Sequence, residues 1–127
     1  MSRKKHIVVV GGGFGGLNFT KRIDKSRFDV TVIDRNNYHS FPPLFYQVAA
    51  GSLEPASISF PFRRELRGRK IGGCRFMMGD VTGIDPRAKT VTTDYGTVDY
   101  DELVIAAGTT NNFFGIKGLY EHVYTLK

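Results

Sequence analysis

Cysteine is almost absent from this sequence: Cys74 is the single example among 127 residues. One thiol cannot form an intrachain disulfide, which is typical of proteins kept in a reducing compartment. It also excludes, for this segment, a redox reaction that runs through a pair of cysteines. The neighbouring Arg75 could lower the pKa of the thiol, but we interpret Cys74 as a buried and unreactive side chain.

Long apolar runs and clustered metal ligands are missing as well. After the basic segment Met1–Lys5, the apolar run Ile7–Val10 is too short for the core of a signal peptide or for a membrane span. The sequence therefore predicts no transmembrane segment. The three histidines have no partners at metal-ligand spacing, so we expect no metal site. We interpret His39, which lies in a loop, as a solvent-facing or capping residue.

The composition is that of one small globular domain, with 41% hydrophobic and 24% charged residues. The formal net charge of +6 favours a polyanionic partner such as nucleic acid, an anionic membrane surface or a phosphate cofactor, or serves only solubility. The densest basic run lies between Arg63 and Lys70. We interpret it as the solvated face of a short helix, and we expect no nucleic-acid partner because no recognised motif accompanies it.

Two β-branched runs flank a helical pattern near the start of the chain. Ile7–Val10 is apolar at consecutive positions, which indicates a strand buried on both faces of a parallel sheet, and Val30–Ile33 is interpreted as a second buried strand. Between them, Gly16, Phe19, Thr20 and Ile23 recur at the spacing of one helix face. The pattern predicts a right-handed βαβ unit.

The rest of the chain alternates loops with short strands. Residues 35–61 should lack regular structure, yet they are rich in aromatic residues, which indicates a lid over the core or the wall of a cofactor site. Further elements are predicted as follows: a helix over Phe62–Arg67 ended by Gly68, Gly72 and Gly73, a strand over Arg75–Met78, a turn at Asp85–Pro86, a hairpin over Thr90–Thr93 and Thr97–Tyr100, and a fully buried strand over Leu103–Ala106.

The segment Gly11–Gly16 matches the pattern G-x-G-x-x-G. It follows a predicted buried strand and opens a predicted helix, and Asp34 lies roughly 20 residues further on. Gly11 permits the tight turn, Gly13 lets a pyrophosphate approach the backbone, and Gly16 lets the helix lie close to the sheet. The amides at the helix start would point at the phosphates. The carboxylate of Asp34 can accept ribose hydroxyls and would repel a 2′-phosphate.

These features predict an α/β fold of the Rossmann-like FAD/NAD(P)-binding type. A central parallel sheet carries the nucleotide site, and a β-meander replaces the second crossover helix. The site is suited to an ADP-ribose moiety, which FAD and NAD share, so the glycine pattern alone does not choose between the two cofactors.

Three segments resemble type II NADH:quinone oxidoreductases, single-chain flavoproteins of the respiratory chain. They are His6–Leu17, Val32–Ala49 and Tyr100–Gly108, and the resemblance extends from His6 to Phe114. The middle segment is the most specific of the three. The last resembles an Ala-Thr-Gly strand end, with Ala107 where threonine is usual.

The resemblance implies that the chain binds FAD. Arg35 would lie near the adenine, Val81 would meet the adenine edge through its backbone, and Ala107 and Gly108 would pass close to the pyrophosphate or the flavin. The complete set of implied cofactor-binding residues is Gly11, Gly13, Phe14, Gly15, Gly16, Asp34, Arg35, Val81, Ala107 and Gly108. No catalytic side chain is implied, because the flavin itself accepts hydride from NADH and reduces the quinone.

The resemblance also implies a longer parent protein. Residues 1–127 correspond to the N-terminal part of an FAD-binding domain, without its second half and without the NADH domain. The parent would lie at the cytoplasmic face of the inner membrane as a peripheral protein. We expect the uncovered sheet to drive self-association. Two alternatives stay open: another flavoprotein with two dinucleotide-binding domains, such as a sulfide:quinone or ferredoxin-type reductase, and a non-catalytic nucleotide-binding or interaction module.

Overall fold

The computed structural model of the chain describes residues 3–67 and 74–126. The chain divides into two units, one made of Met1–His39 and Phe60–Gly108 and the other of Ser40–Ser59 and Thr109–Lys127. The strands are β1 (Lys5–Val10), β2 (Phe28–Asp34), β3 (Tyr38–Ser40), β4 (Ser59–Pro61), β5 (Cys74–Met78), β6 (Val81–Asp85), β7 (Thr90–Thr93), β8 (Gly96–Asp99) and β9 (Glu102–Ile105). The helices are α1 (Phe14–Arg22), α2 (Phe45–Ala49), α3 (Phe62–Arg67) and α4 (Leu119–His122).

A four-stranded parallel sheet in the order β5-β2-β1-β9 forms the centre of the first unit. In its register Ile7 lies beside both Val30 of β2 and Glu102 of β9. The predicted α/β class with a central parallel sheet is confirmed, and so are the strands predicted over residues 7–10, 30–33 and 75–78.

Consecutive apolar residues of β1 supply both faces of this sheet, because successive side chains of a strand point to opposite sides. Ile7 and Val9 pack with Leu17 of α1 and with Phe62 and Leu66 of α3. Val8 and Val10 pack on the opposite side. There they meet Ile33 and Val91. Helices therefore cover one face, and the meander covers the other.

Helix α1 buries the side that the sequence pattern predicted. Gly16, Leu17 and Thr20 are buried, and Phe19 and Ile23 are partly buried against the core. The hydroxyl of Thr20 donates to the Gly16 carbonyl oxygen at 2.7 Å, so this polar side chain is satisfied inside the core.

The meander is a three-stranded antiparallel sheet, β6-β7-β8, and the predicted hairpin is its second half. Residues 35–61 contain short elements in place of an unbroken loop: β3, α2, β4 and single 3₁₀ turns over Pro42–Leu44 and Pro55–Ile58. The predicted helix over Phe62–Arg67 is confirmed. The glycines predicted to end it lie outside the described residues. No helix in the described ranges is long and apolar enough to cross a membrane.

The prediction of a fully buried strand over Leu103–Ala106 is wrong. Strand β9 forms there, but Leu103 and Val104 are only partly buried and Ile105 is 65% exposed. The physical reason is position: within the described residues β9 is the last strand of the parallel sheet and pairs with β1 alone. An apolar run thus predicts a strand but does not give its place in the sheet.

Asp101 ties the start of β9 to the start of β1. Its carboxylate accepts the His6 backbone N–H at 2.7 Å and forms an ion pair with Arg3 at 2.8 Å. Its own N–H donates to the His6 carbonyl oxygen at 2.8 Å. The hydrogen bond from His6 lowers the pKa of Asp101 below its ordinary value of 3.8, against a smaller opposing effect of desolvation, and the charges of Arg3 and Lys89 lower it further.

This lowered pKa makes the pairing of β1 and β9 acid-sensitive. Because the folded chain holds Asp101 ionised, its stabilising contribution is complete above pH 3.8 and is lost as the pH falls through the lowered pKa. We expect Asp101→Asn to be less stable than wild type at neutral pH and to lose less further stability on acidification. The measurement is the urea midpoint of unfolding against pH. Asp29→Asn, on the adjacent strand, controls for net charge, and parallel curves for Asp101→Asn and wild type would contradict the assignment.

Candidate nucleotide-binding site

The glycine segment Gly11–Gly16, which forms the turn after β1 and the start of α1, has no room for side chains at its first and last positions. Gly11 has a φ of +96°, and a Cβ there would overlap the Ala106 carbonyl group. A Cβ on Gly16 would overlap the Gly11 carbonyl oxygen and would lie 3.2 Å from a methyl group of Val9. Glycine at both positions lets the start of α1 lie directly on the turn, and lets the turn lie against the backbone that follows β9.

The two middle glycines have opposite surroundings. A Cβ on Gly12 would overlap the ring of Phe62, which is fully buried, whereas a Cβ on Gly13 would meet no atom within 4 Å. Gly12 is therefore a packing requirement of the fold. Gly13 lies at an open surface, where the lack of a side chain exposes backbone to any bound group.

Helix α1 begins at this open surface. Gly13 is its N-cap, and the Gly13 carbonyl oxygen accepts the first helical hydrogen bond from Leu17 N–H at 2.9 Å. In the described part of the chain, no side chain caps the helix and no acidic residue lies in its first turn. The partial positive charge of the helix start, carried by the amides of Phe14, Gly15 and Gly16, is therefore not offset by an acidic side chain of the first turn.

Asp34, the last residue of β2, is bonded to the turn. Its Oδ2 atom accepts the Gly12 N–H at 2.7 Å, and Oδ1 accepts the Asn36 N–H at 2.8 Å. The neighbouring Ile33 carbonyl oxygen accepts the Gly11 N–H at 2.8 Å. Each carboxylate oxygen has lone pairs beyond those used here, so Asp34 can fix the turn and still accept hydroxyl groups.

A cleft of about 240 Å³ opens beside Asp34. It is lined by Val10, Gly11, Ile33, Asp34, Arg35, Gly79, Asp80, Val81, Ile84, Ile105 and Ala107. Arg35 and Asp80 form an ion pair across 3.3 Å at its exposed rim. Exposed pairs of this kind contribute little to stability. The cleft thus combines an apolar wall with a polar rim at the carboxyl ends of parallel strands, where α/β sheets bind ligands.

The structure places most of the predicted site residues in two neighbouring groups. Five of them line the cleft: Gly11, Asp34, Arg35, Val81 and Ala107. Four others form the helix start that follows the turn: Gly13, Phe14, Gly15 and Gly16. Gly108, with a φ of +74°, is not among the lining residues described for the cleft.

Sequence reasoning missed the contribution of His39. It is only 5% exposed, so a solvent-facing position is wrong, and its Nδ1 atom lies 3.0 Å from the Gly12 carbonyl oxygen. Its hydrogen bond to the backbone does not cap a helix either, because no side chain in the described residues caps α1. No sequence signal could have identified the partner, because the two residues are separated by 27 positions.

The remaining titratable candidates do not form a reactive centre. Desolvation raises the pKa of Cys74, against a smaller effect of Lys25, so the thiol is less ionised than an exposed one. Arg75 is not among the causes of this shift. In residues 3–67 and 74–126, no three side chains of the metal-ligating types come together.

The family model for pyridine nucleotide-disulphide oxidoreductases matches residues 5–127. The chain belongs to this family. It is 40% identical over 116 residues to the type II NADH:quinone oxidoreductase NdhA of Mycobacterium tuberculosis. The aligned segment covers 88% of this chain and 24% of that protein. The predicted resemblance to type II NADH:quinone oxidoreductases is confirmed by this relative.

Solved structures of related oxidoreductases also superimpose on the chain. NDH2 of Plasmodium falciparum, solved in complex with NADH, superimposes with a TM-score of 0.90 at 30% identity over 98% of this chain and 26% of that one. The sulfide:quinone oxidoreductase of Aquifex aeolicus superimposes with a TM-score of 0.78 at 34% identity over 92% of this chain and 27% of that one. The chain therefore spans about a quarter of the length of the proteins it matches.

The packing of the turn gives a contrast between two glycines. Gly16→Ala should lower the free energy of unfolding by about 1–3 kcal/mol or more, because the new methyl group forces the turn away from α1 and outweighs the better helix propensity of alanine. Gly13→Ala should change it by less than about 1 kcal/mol, because the methyl group enters open space. Urea denaturation of both variants tests this contrast, and equal losses would contradict the described packing.

Proposed function

We propose that this chain holds the ADP half of FAD. The observation that carries the proposal is the open backbone of Gly13 at a helix start that no side chain of the described residues caps, with Asp34 hydrogen-bonded to the adjacent Gly12. Amides at a helix N-terminus bind phosphate groups, and a carboxylate at the end of the second strand binds ribose hydroxyls. The glycine amides can thus bind the pyrophosphate of an ADP moiety, and the adjacent carboxylate can bind its ribose.

We propose roles for the individual residues from the resemblance and from their positions. In this proposal the amides of Gly13, Phe14, Gly15 and Gly16 bind the pyrophosphate, and Asp34 binds the ribose. The cleft receives the adenosine, with Arg35 and Val81 beside the adenine, while Gly11, Ala107 and Gly108 provide close-packed backbone near the pyrophosphate. The negative charge of Asp34 opposes a 2′-phosphate, so this is not a site for NADP.

FAD is the cofactor we infer, because the chain belongs to the pyridine nucleotide-disulphide oxidoreductases and is similar to type II NADH:quinone oxidoreductases, which are flavoproteins. FAD supplies the redox chemistry when bound, by accepting hydride and passing electrons on. The residues of this chain contribute binding and orientation. We therefore assign no catalytic side chain and no metal to this segment.

For the longer protein we propose electron transfer from NADH through FAD to a quinone. In this proposal residues 1–127 form the N-terminal part of the FAD-binding domain, and the NADH and quinone sites belong to other segments. We also infer a peripheral position at the cytoplasmic face of the inner membrane, where a quinone is accessible. The net charge of +6 suits an anionic membrane surface.

The likeness to a sulfide:quinone oxidoreductase supports a second candidate, the same cofactor role with a different electron donor. The two candidates differ in what reduces the flavin of the longer protein. Bleaching of the flavin absorption by NADH under anaerobic conditions supports the first, whereas bleaching by sulfide alone supports the second. A segment that binds FAD in a protein that neither donor reduces would be a non-catalytic nucleotide-binding module.

The FAD proposal is tested by incubating the purified chain with FAD, removing free cofactor on a desalting column and recording the absorption spectrum. We expect the wild-type chain to retain a flavin band. Gly13→Val should stay folded, because its position is open, but should bind FAD at least about 10-fold more weakly, since the branched side chain keeps phosphate from the amides.

Gly83→Ala is the matched control for this test. It also adds side-chain atoms at a glycine, but it lies in the meander, and its Cβ would meet only a carbon of Thr92 at 3.8 Å. Circular dichroism shows whether each variant is folded. A folded wild-type chain that retains no flavin, or a Gly13→Val chain that binds as well as Gly83→Ala, would contradict the proposal.

We further propose that the chain self-associates through the edge formed by β9, where Ile105 is 65% exposed. Edge strands with apolar side chains are templates for pairing with another chain. We expect sedimentation velocity to show a concentration-dependent increase in mass, and Ile105→Lys to reduce it. A monodisperse monomer at high protein concentration would contradict this proposal.

A further inference from the structure

His39 contacts the glycine turn from the side of the core. Its Nδ1 atom lies 3.0 Å from the Gly12 carbonyl oxygen, and its side chain is almost completely buried. A carbonyl oxygen can only accept a hydrogen bond, so Nδ1 carries the proton and donates it to Gly12. The partner therefore determines which ring nitrogen is protonated.

Three aromatic side chains fix the orientation of this ring. Phe14 meets it edge-on with ring centroids 5.3 Å apart, Phe60 lies at 5.0 Å and Phe62 at 6.1 Å. Phe62 is itself stacked on Phe76 at 5.2 Å. Because the ring is held on several sides, the direction of its Nδ1–H group is set before any ligand arrives.

The two peptide groups of Gly12 are each held by a different side chain. Asp34 accepts the N–H of Gly12 at 2.7 Å, and His39 donates to its carbonyl oxygen at 3.0 Å. In a planar trans peptide the C=O and the following N–H point in opposite directions, and the described residues contain no cis peptide. The hydrogen bond to His39 therefore points the Gly13 N–H away from the ring.

This restraint matters because glycine has the freest backbone of all residues. If the ligand had to order a turn of consecutive glycines, the entropy lost on ordering would weaken binding. A turn that is already ordered in the free protein avoids this loss. Asp34 holds the Gly11–Gly12 peptide and His39 holds the Gly12–Gly13 peptide, so both orientations are restrained in the absence of ligand.

The geometry points to His39 as a positioning residue of the cofactor site: it presets the Gly12–Gly13 peptide so that the Gly13 N–H faces the pyrophosphate. This inference rests on the proposed binding of FAD. His39 itself touches no part of the ligand in this account. Its effect is carried by one hydrogen bond to the backbone.

Three substitutions separate the hydrogen bond from the packing of the ring. His39→Asn places an amide nitrogen where Nδ1 lies, His39→Gln places it nearer the position of Nε2, and His39→Phe keeps an aromatic ring without a donor. We expect His39→Phe and His39→Gln to weaken FAD binding by about 3- to 10-fold, the effect of one lost hydrogen bond. His39→Asn should restore binding to within about twofold of wild type.

The readouts are the dissociation constant from flavin fluorescence, the urea midpoint of the FAD-free chain and the amide signal of Gly13 in the FAD-free chain. The affinity for FAD and the Gly13 amide signal should be close to wild type in His39→Asn, which has a donor at the Nδ1 position. Both should differ from wild type in His39→Phe and His39→Gln, which lack it. The urea midpoint should also fall in His39→Phe and His39→Gln, because the Gly12 carbonyl oxygen loses its partner in the FAD-free chain, so binding is compared where each variant is fully folded. His122→Asn removes an exposed histidine and should match wild type in all three.

The possible outcomes distinguish the inference from the proposed function. If wild type binds FAD but His39→Asn binds no better than His39→Phe, the inference is wrong and the proposed function stands. If the folded His39→Phe and His39→Gln chains bind FAD like wild type although their urea midpoints fall, the histidine is merely structural and the inference is wrong. If the folded wild-type chain binds no FAD, the proposed function fails, and the inference fails with it.

Discussion

The absence of side chains from the turn after β1 is the constraint on which the rest of the structure depends. Any Cβ on Gly11 or Gly16 would overlap a backbone carbonyl group, so only glycine lets the strand, the turn and the helix come this close. That closeness brings the start of α1 to the carboxyl end of the parallel sheet. The site is therefore a consequence of packing before any ligand is considered.

The hydrogen bonds around Gly12 complete the arrangement. Asp34 at the end of β2 and His39 in β3 each form a hydrogen bond to Gly12. The two strands therefore restrain a residue that has no side chain to limit its backbone. The helix start then presents amides that no acidic side chain of its first turn offsets. An anion bound there gains from the helix dipole without displacing an acidic side chain of the first turn.

Much of this could be predicted from the sequence because the signals are local. The β-branched runs, the helical spacing after Gly16 and the hairpin around Asp94–Gly96 each reflect the geometry of a single element, and the structure contains all of them. The errors concern long-range relations. The exposure of Ile105 depends on which strand lies at the edge, and the burial of His39 depends on aromatic partners far along the chain. Neither relation leaves a periodic pattern.

The central claim is that the glycine turn and Asp34 recognise the ADP moiety, and titration with ADP alone, followed by the amide NMR signals of the chain, tests it most directly. We expect saturable shifts at Gly13, Phe14 and Gly15, with Gly83 and Gly96 of the meander unchanged. Saturable binding that shifts the meander and leaves the turn unchanged would contradict this assignment. The absence of any shift at millimolar ADP would contradict it as well, because a dissociation constant of about 1 mM corresponds to a binding free energy of only about −4 kcal/mol.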